Sequence, residues 1–272
     1  MKLKELPASL LRSAQLSLQK PSSLSAKANK RAEGLIVSFT SIAPRLHVVH
    51  LTVRSLLAQS VEADFIVLWL QKGLENKVPK RLLKLQSDQF KINYVDEGCS
   101  HRKLVEAMRH YPGKSVVTCD DDMLYGPDWL ERLWHEHQRF PHSVIAHECR
   151  RIATDKSGKT LPYKYWQSEE CGLSHRNTLA IGYGGVLYPA GLMPEQSLER
   201  ELYMQLAPRA DDLWFKAMSL RAGIDTRRSE LSRPKPQPIA FSQSFSLKKH
   251  NVREDGNLLQ WNALAEHFAL NL

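Results

Sequence analysis

The chain predicts an α/β fold built on a mostly parallel sheet flanked by helices. Short apolar, β-branched runs recur between stretches with helical patterning, the alternation that parallel sheets with right-handed crossovers require. The runs are continuously apolar, as in strands covered on both faces. Acidic residues and glycines cluster just beyond several runs. In open α/β sheets that carboxyl rim is where ligands bind.

The first strand is Leu35 to Thr40, entering the loop Ser41-Ile42-Ala43-Pro44-Arg45, and a helix follows from about His47 to Gln59. Phe65 to Leu70 is the second strand and Pro79 to Gln86 a short helix. Lys91 to Asp96 is the third strand, ending in Glu97-Gly98, and residues 101–111 form a helix. The fourth strand, 115–120, precedes the turn Gly126-Pro127-Asp128 and a helix over 127–138, with Pro127 near its first turn. Val144 to Cys149 reads as another strand. Beyond it lie loop-forming and aromatic residues over 155–178, then the glycine-rich approach Gly182-Tyr183-Gly184-Gly185 to a short strand. A helix runs from Asp211-Asp212 to about Arg221, Pro234 to Pro238 is extended, and a last helix spans roughly 257–269.

At 272 residues, 42% hydrophobic and 25% charged, the composition is that of a globular protein. The 4 cysteines, Cys99, Cys119, Cys149 and Cys171, form no CxxC pair. That argues against zinc and a disulfide framework, and for free thiols in a reducing, cytoplasmic setting. No apolar stretch approaches membrane-spanning length. The net charge of +9 is segregated: residues 1–34 hold seven Lys/Arg against two Glu, and 221–253 eight Lys/Arg against two acids, leaving −2 elsewhere. A nucleic-acid-binding domain carries its basic residues through its fold, so nucleic acid is not an expected partner. A basic head and tail suit an anionic surface or a diphosphate ligand. Three parts follow: a basic arm over 1–33, whose piece Leu6 to Leu18 is amphipathic; a catalytic domain over 34–230; and a basic tail with a helix packing on that domain over 231–272.

Asp120-Asp121-Asp122 carries the chemistry. Three adjacent like charges repel, and a bound cation removes that penalty. Extended backbone would put Asp120 and Asp122 on one side, able to grip a hard cation, Mn²⁺ or Mg²⁺, which keeps its other positions for water and phosphate. Asp121 would point away, toward a ribose hydroxyl. The bland reading is a solvated strand end, or acids favouring the next helix N-terminus.

Asp-Asp-Asp-Met-Leu-Tyr after a strand, followed by a turn and an aromatic-rich helix, resembles the DxD region of GT-A glycosyltransferases, in their family-2-like and exostosin-like branches. Gly184-Gly185-Val186-Leu187-Tyr188-Pro189 resembles the strand lining their sugar pocket. Ala210-Asp211-Asp212-Leu213-Trp214-Phe215 resembles the helix start supplying the base in inverting members. The likeness spans roughly residues 34–225. It implies a GT-A, Rossmann-like fold, with a nucleotide-binding half over 34–123 and an acceptor half over 124–230. Asp212 is then the catalytic base and Asp211 the reserve, although Asp is also a favoured N-cap. Thr40, Arg45 and Asp96 lie in the loops that GT-A enzymes use for base and ribose; as surface cation and turn residue, Arg45 and Asp96 also have plain readings. Arg102 and Lys103, at a helix start, are placed to meet the diphosphate or to form a solvated face. Gly184, Gly185 and Tyr183 either let backbone and ring approach a sugar or form a turn. His250 stands as a third metal ligand, by analogy with C-terminal ligands in some members. His135 and His137, spaced i, i+2, share no helix face and form no metal pair.

The leading expectation is metal-dependent, inverting transfer of a sugar from a nucleotide diphosphate sugar, most simply UDP-linked, to a glycan or lipid-linked acceptor in surface polysaccharide or lipopolysaccharide synthesis. It would work in the cytoplasm, peripherally at the inner membrane face. A metal-dependent nucleotidyl- or phosphotransferase is the alternative; against it, Ser41 to Arg45 contains no glycine. A non-catalytic polyanion- or membrane-binding protein is the third class, and leaves the order of the acidic and glycine motifs unexplained.

Overall fold

A computed structural model describes residues 5–20, 23–24, 30–230, 235–242 and 254–272. Helix α1 (Leu6–Leu18) precedes strand β1 (Lys30–Thr40), helix α2 (Val49–Leu57), β2 (Val61–Gln71), the short α3 (Lys80–Leu83), β3 (Phe90–Val95), α4 (Arg102–His110) and β4 (Ser115–Thr118). Then come β5 (Met123–Leu124), α5 (Trp129–Arg139), β6 (Val144–Ala146), β7 (Cys149–Arg151), β8 (Thr178–Ala180) and β9 (Val186–Tyr188). The chain closes with α6 (Arg200–Leu206), α7 (Asp211–Arg221), β10 (Thr226–Arg228), β11 (Gln237–Pro238) and α8 (Gly256–Phe268).

Seven strands form the central sheet in the order β10-β6-β9-β4-β1-β2-β3. β1 pairs in parallel with β2 and β4, and β2 with β3. β9 is antiparallel to both β4 and β6, while β10 and β6 run parallel. Alternate strand residues serve opposite layers, as the two-residue period of a strand dictates. Val37, Phe39, Leu68, Val117 and Leu187 face one core with α2 and α5. Ile36, Val116, Val186 and Tyr188 face the other with α4, α7 and α8, through Leu104, Trp214 and Trp261. The carboxyl ends of β1, β3, β4 and β6 and the start of β9 therefore share one rim.

Several elements differ from the sequence expectation. β1 begins at Lys30, before the expected domain start: Lys30–Ala32 pair with Val61–Ala63, and the register then slips before Ile36, where Gly34 takes φ +76°. The expected strand Val144 to Cys149 breaks at His147-Glu148, and its second half, β7, pairs with β8 in a separate ribbon. β8, α6 and β10 were not anticipated by the patterning, being short and mixed in polarity. α1 is not a detached arm, since Leu16 is buried and Arg54 of α2 donates to the carbonyls of Leu16 and Gln19 at 2.9 and 2.7 Å. α8 packs its Trp261 and Leu264 into the second core.

Candidate active site

β4 stops at Thr118, so the acidic triplet lies beyond the sheet, with Asp121 and Asp122 in a turn. The turn is braced by Thr52 of α2 and by Tyr125, which follows β5. Thr52 Oγ1 donates to the carbonyls of Asp121 (2.8 Å) and Met123 (3.0 Å). The Tyr125 hydroxyl accepts from the Asp120 amide at 2.9 Å and donates to the Tyr183 carbonyl at 3.2 Å.

This geometry corrects the side-chain assignment within the triplet. Strand alternation does not extend past Thr118, so Asp120 and Asp122 are not a same-side pair. Asp121 and Asp122 both turn to Arg45, whose Nη1 lies 2.5 Å from Asp121 Oδ1 and Nη2 3.4 Å from Asp122 Oδ2. Ser41 Oγ also donates to Asp121, at 2.5 Å. Asp121 thus ties the loop after β1 to the end of β4 and is buried rather than offered to a ribose. Burial opposes the charge on Arg45, but Asp121 and Asp122 more than offset it and hold the guanidinium pKa above its ordinary value.

Asp120 turns the other way. Its carboxylate, 35% exposed, lies 3.1 Å from Lys103 Nζ, which is also 3.0 Å from Asp211 Oδ2. Asp211 accepts from Ser100 Oγ at 2.9 Å, and Asp212 from the Gly182 amide at 3.0 Å. Burial works against the Lys103 charge, yet Asp120, Asp211 and Asp212 keep it firmly protonated. Lys103 is accordingly a charge hub among protein carboxylates rather than a free cation awaiting a diphosphate. Asp211 is held low despite burial, by Lys103 and then His101. Asp212 is pushed up to about 7, by burial first and then by Asp211, against the pull of Lys103. One neighbouring carboxylate is thereby kept ionised and the other poised near neutrality. Neither is the N-cap, which is Ala210 without a side-chain capping bond; both lie in the first turn of α7, where the helix dipole favours acids.

The remaining nominated residues separate. Thr40 Oγ1 donates to the Trp69 carbonyl at 2.9 Å and accepts from Arg102 Nε, so it faces the fold. Arg102 is buried, donating to the carbonyls of Glu97 (2.5 Å) and Ser41 (2.6 Å). It clamps the loops after β1 and β3 and does not reach outward. Asp96 is 82% exposed on its side chain and pairs with Lys72 at 2.8 Å, a solvated contact of small energetic weight. A Cβ on Gly184 would come within 2.8 Å of Glu148 Cγ, and one on Gly185 within 2.5 Å of the Trp129 ring. Space at these two glycines is therefore filled by protein, which corrects the expectation that it faces a sugar. Trp129 Nε1 donates to the Gly184 carbonyl at 2.7 Å. The Tyr183 hydroxyl is 3.4 Å from Glu148 Oε2 and 3.3 Å from Lys235 Nζ. His250 lies outside the described residues.

Thr52, Ser100 and Glu148 were not singled out by sequence, and Ser41 and Tyr125 stood inside quoted segments without a role of their own. Ser100 sits directly beside His101-Arg102-Lys103, which is the one signal that could have found it. Among the described residues no group of three or more His, Cys, Asp or Glu converges as a metal cage. The donor chemistry nonetheless fits a hard cation, because Mg²⁺ or Mn²⁺ needs only one or two carboxylates when water and phosphate complete its shell. Asp120, open at the rim, could offer one such carboxylate, whereas Asp122 is turned away to Arg45.

Residues 45–199, more than half of the chain, match the sequence model of a family described as glycosyl transferase family 2. No curated protein matches the chain. Two of the solved structures to which the chain is similar are a synthetase and a synthase. CMP:2-keto-3-deoxy-manno-octonic acid synthetase complexed with CTP has 14% identity and a TM-score of 0.43, over 78% of this chain and 95% of that one. A 4-diphosphocytidyl-2C-methyl-D-erythritol synthase from Anaerococcus prevotii has 12% identity and a TM-score of 0.44, over 78% and 92%.

Proposed function

Because the chain belongs to glycosyl transferase family 2, we propose that it moves a sugar from a nucleotide diphosphate sugar, most simply UDP-linked, to a hydroxyl of a glycan or lipid-linked acceptor, with inversion. Surface polysaccharide or lipopolysaccharide synthesis in the cytoplasm is the proposed setting. The observation that carries this reading is the meeting of Asp120, Lys103, Asp211 and Asp212 at the carboxyl rim.

In the proposed reaction the acceptor oxygen attacks the anomeric carbon in line as the bond to the diphosphate oxygen breaks. The hydroxyl proton passes to Asp212, and the bonding pair leaves with the nucleoside diphosphate. A carboxylate with a pKa near the working pH is well matched to that task. Gly182 fixes one Asp212 oxygen through its amide, leaving the other to face the acceptor. Asp211 stays ionised beside Lys103 and keeps Asp212 from losing its proton affinity. Asp120 is the proposed holder of Mn²⁺ or Mg²⁺, a cation whose chemistry would be to offset charge on a departing diphosphate.

The test is a thermal-shift panel of UDP, GDP, CDP and their sugars, with and without Mn²⁺. Stabilisation by one diphosphate only when metal is present supports the proposal. If none stabilises, or if a nucleoside triphosphate is turned over instead, the reading fails.

A further inference from the structure

We propose that Lys235 is the cation that meets the diphosphate of the donor, and that Glu148 is its resting counter-ion, given up when the donor binds. The inference rests on the nucleotide diphosphate sugar reading above and assigns it a residue outside the acidic and glycine motifs. A departing diphosphate carries more negative charge than one divalent cation neutralises. The other cations near the acidic triplet are already committed. Arg45 is held by Asp121 and Asp122, and Lys103 by Asp120 and Asp211. Arg102 is buried and donates to carbonyls. Lys72 pairs with Asp96 just beyond β2, two strand spacings, about 10 Å, from β4.

Lys235 is placed differently. Its side chain is 61% exposed, and its Nζ lies 2.9 Å from Glu148 Oε2 and 3.3 Å from the Tyr183 hydroxyl. The Tyr183 carbonyl accepts from the Tyr125 hydroxyl at 3.2 Å, and that hydroxyl accepts from the Asp120 amide at 2.9 Å. The ammonium thus belongs to the network that positions the exposed acid of the triplet. Its backbone is anchored at the same rim. β11 pairs antiparallel with β5, Gln237 opposite Leu124 and Pro238 opposite Met123. The Ile239 amide donates to the Asp122 carbonyl at 2.8 Å, and Ser9 Oγ of α1 donates to the Pro238 carbonyl at 2.8 Å. Two residues from this ribbon, a flexible four-carbon stem can swing its ammonium while the backbone stays.

Glu148 is built to release it. Its side chain is 8% exposed, so a carboxylate left there without partners would be costly. It is not left so. Arg228 Nη2 lies 3.7 Å from the other oxygen, Oε1, and the Tyr183 hydroxyl 3.4 Å from Oε2. Arg228 is itself fixed, donating to the carbonyls of His147 and Glu169. Glu148 keeps these partners when Lys235 leaves. An ion pair whose ammonium is more than half exposed is weak, whereas contact with phosphate oxygens is strong. The exchange therefore runs toward the diphosphate.

Binding of UDP and of inorganic pyrophosphate, each with Mn²⁺, is measured by calorimetry on the full-length protein and on Lys235→Ala and Glu148→Gln, with unfolding midpoints recorded beside them. Lys235→Ala is expected to weaken both probes about tenfold, the effect of losing one charged contact. Glu148→Gln removes the competitor for the ammonium and is expected to tighten both. Opposite shifts from the two ends of one ion pair are what a purely architectural pair would not give. The proposal is overturned if Lys235→Ala binds the probes as tightly as wild type, or if Glu148→Gln weakens them as Lys235→Ala does. In either case binding by wild type leaves the catalytic reading standing. Wild type that binds neither UDP nor pyrophosphate overturns both.

Discussion

Lys103 is the residue on which most of the site's charge depends. One ammonium sits within 3.1 Å of Asp120 and 3.0 Å of Asp211 and screens Asp212. Replacing it with Met strands the buried carboxylate of Asp211, so Lys103→Met is expected to lose about 3–5 kcal/mol of stability in denaturant titration. Asp211 acts on its neighbour in the opposite sense. Its negative charge helps to raise Asp212 to about 7, so below that pH Asp212 is protonated and accepts no proton. The rate should therefore rise with pH through about 7 and level off above it. In Asp211→Asn the raising charge is gone, and the acid limb of the pH–rate profile should move to lower pH; an unmoved limb would dissociate Asp212 from catalysis. The identity of both acids was legible in sequence from Ala210-Asp211-Asp212. The Lys103 link was not, because nothing in the spacing of 103, 120 and 211 reveals that α4 and α7 converge on the end of β4.

At the scale of elements, the glycine-rich approach to β9 is a packing device. Gly185 has φ +100°, and a Cβ there would meet the Trp129 ring at 2.5 Å. Gly185→Ala is expected to destabilise the protein by about 1–3 kcal/mol, from backbone strain and overpacking, measurable as a lower unfolding midpoint with the site otherwise intact. The strands of the nucleotide-binding half were readable because their buried runs, Ile36 to Phe39, Ile66 to Leu70 and Val116-Val117, are long enough for periodicity to speak. The acidic triplet was readable as a rim feature, but the directions of its side chains were not. Strand alternation holds only while the backbone is extended, and here it ends at Thr118. The three-residue strands β8 and β10 gave no such signal, since tertiary pairing rather than local pattern creates them.

Across the whole molecule, one sheet gathers loops more than a hundred residues apart in sequence onto a single rim, and the segment 235–242 crosses that rim to meet α1. Fold class and family likeness followed from the alternation of elements and the order of three motifs. What the sequence left hidden is how fully the protein neutralises its own acids: Arg45 takes Asp121 and Asp122, and Lys103 takes Asp120 and Asp211. That arrangement leaves Asp212 as the carboxylate with a pKa near neutrality, and the proposed chemistry turns on it. The decisive measurement is sugar transfer by Asp212→Asn alongside its affinity for the nucleoside diphosphate. A fall in kcat of about a hundredfold to ten-thousandfold with diphosphate affinity retained is expected. Undiminished transfer, or an equal loss of affinity, would contradict it.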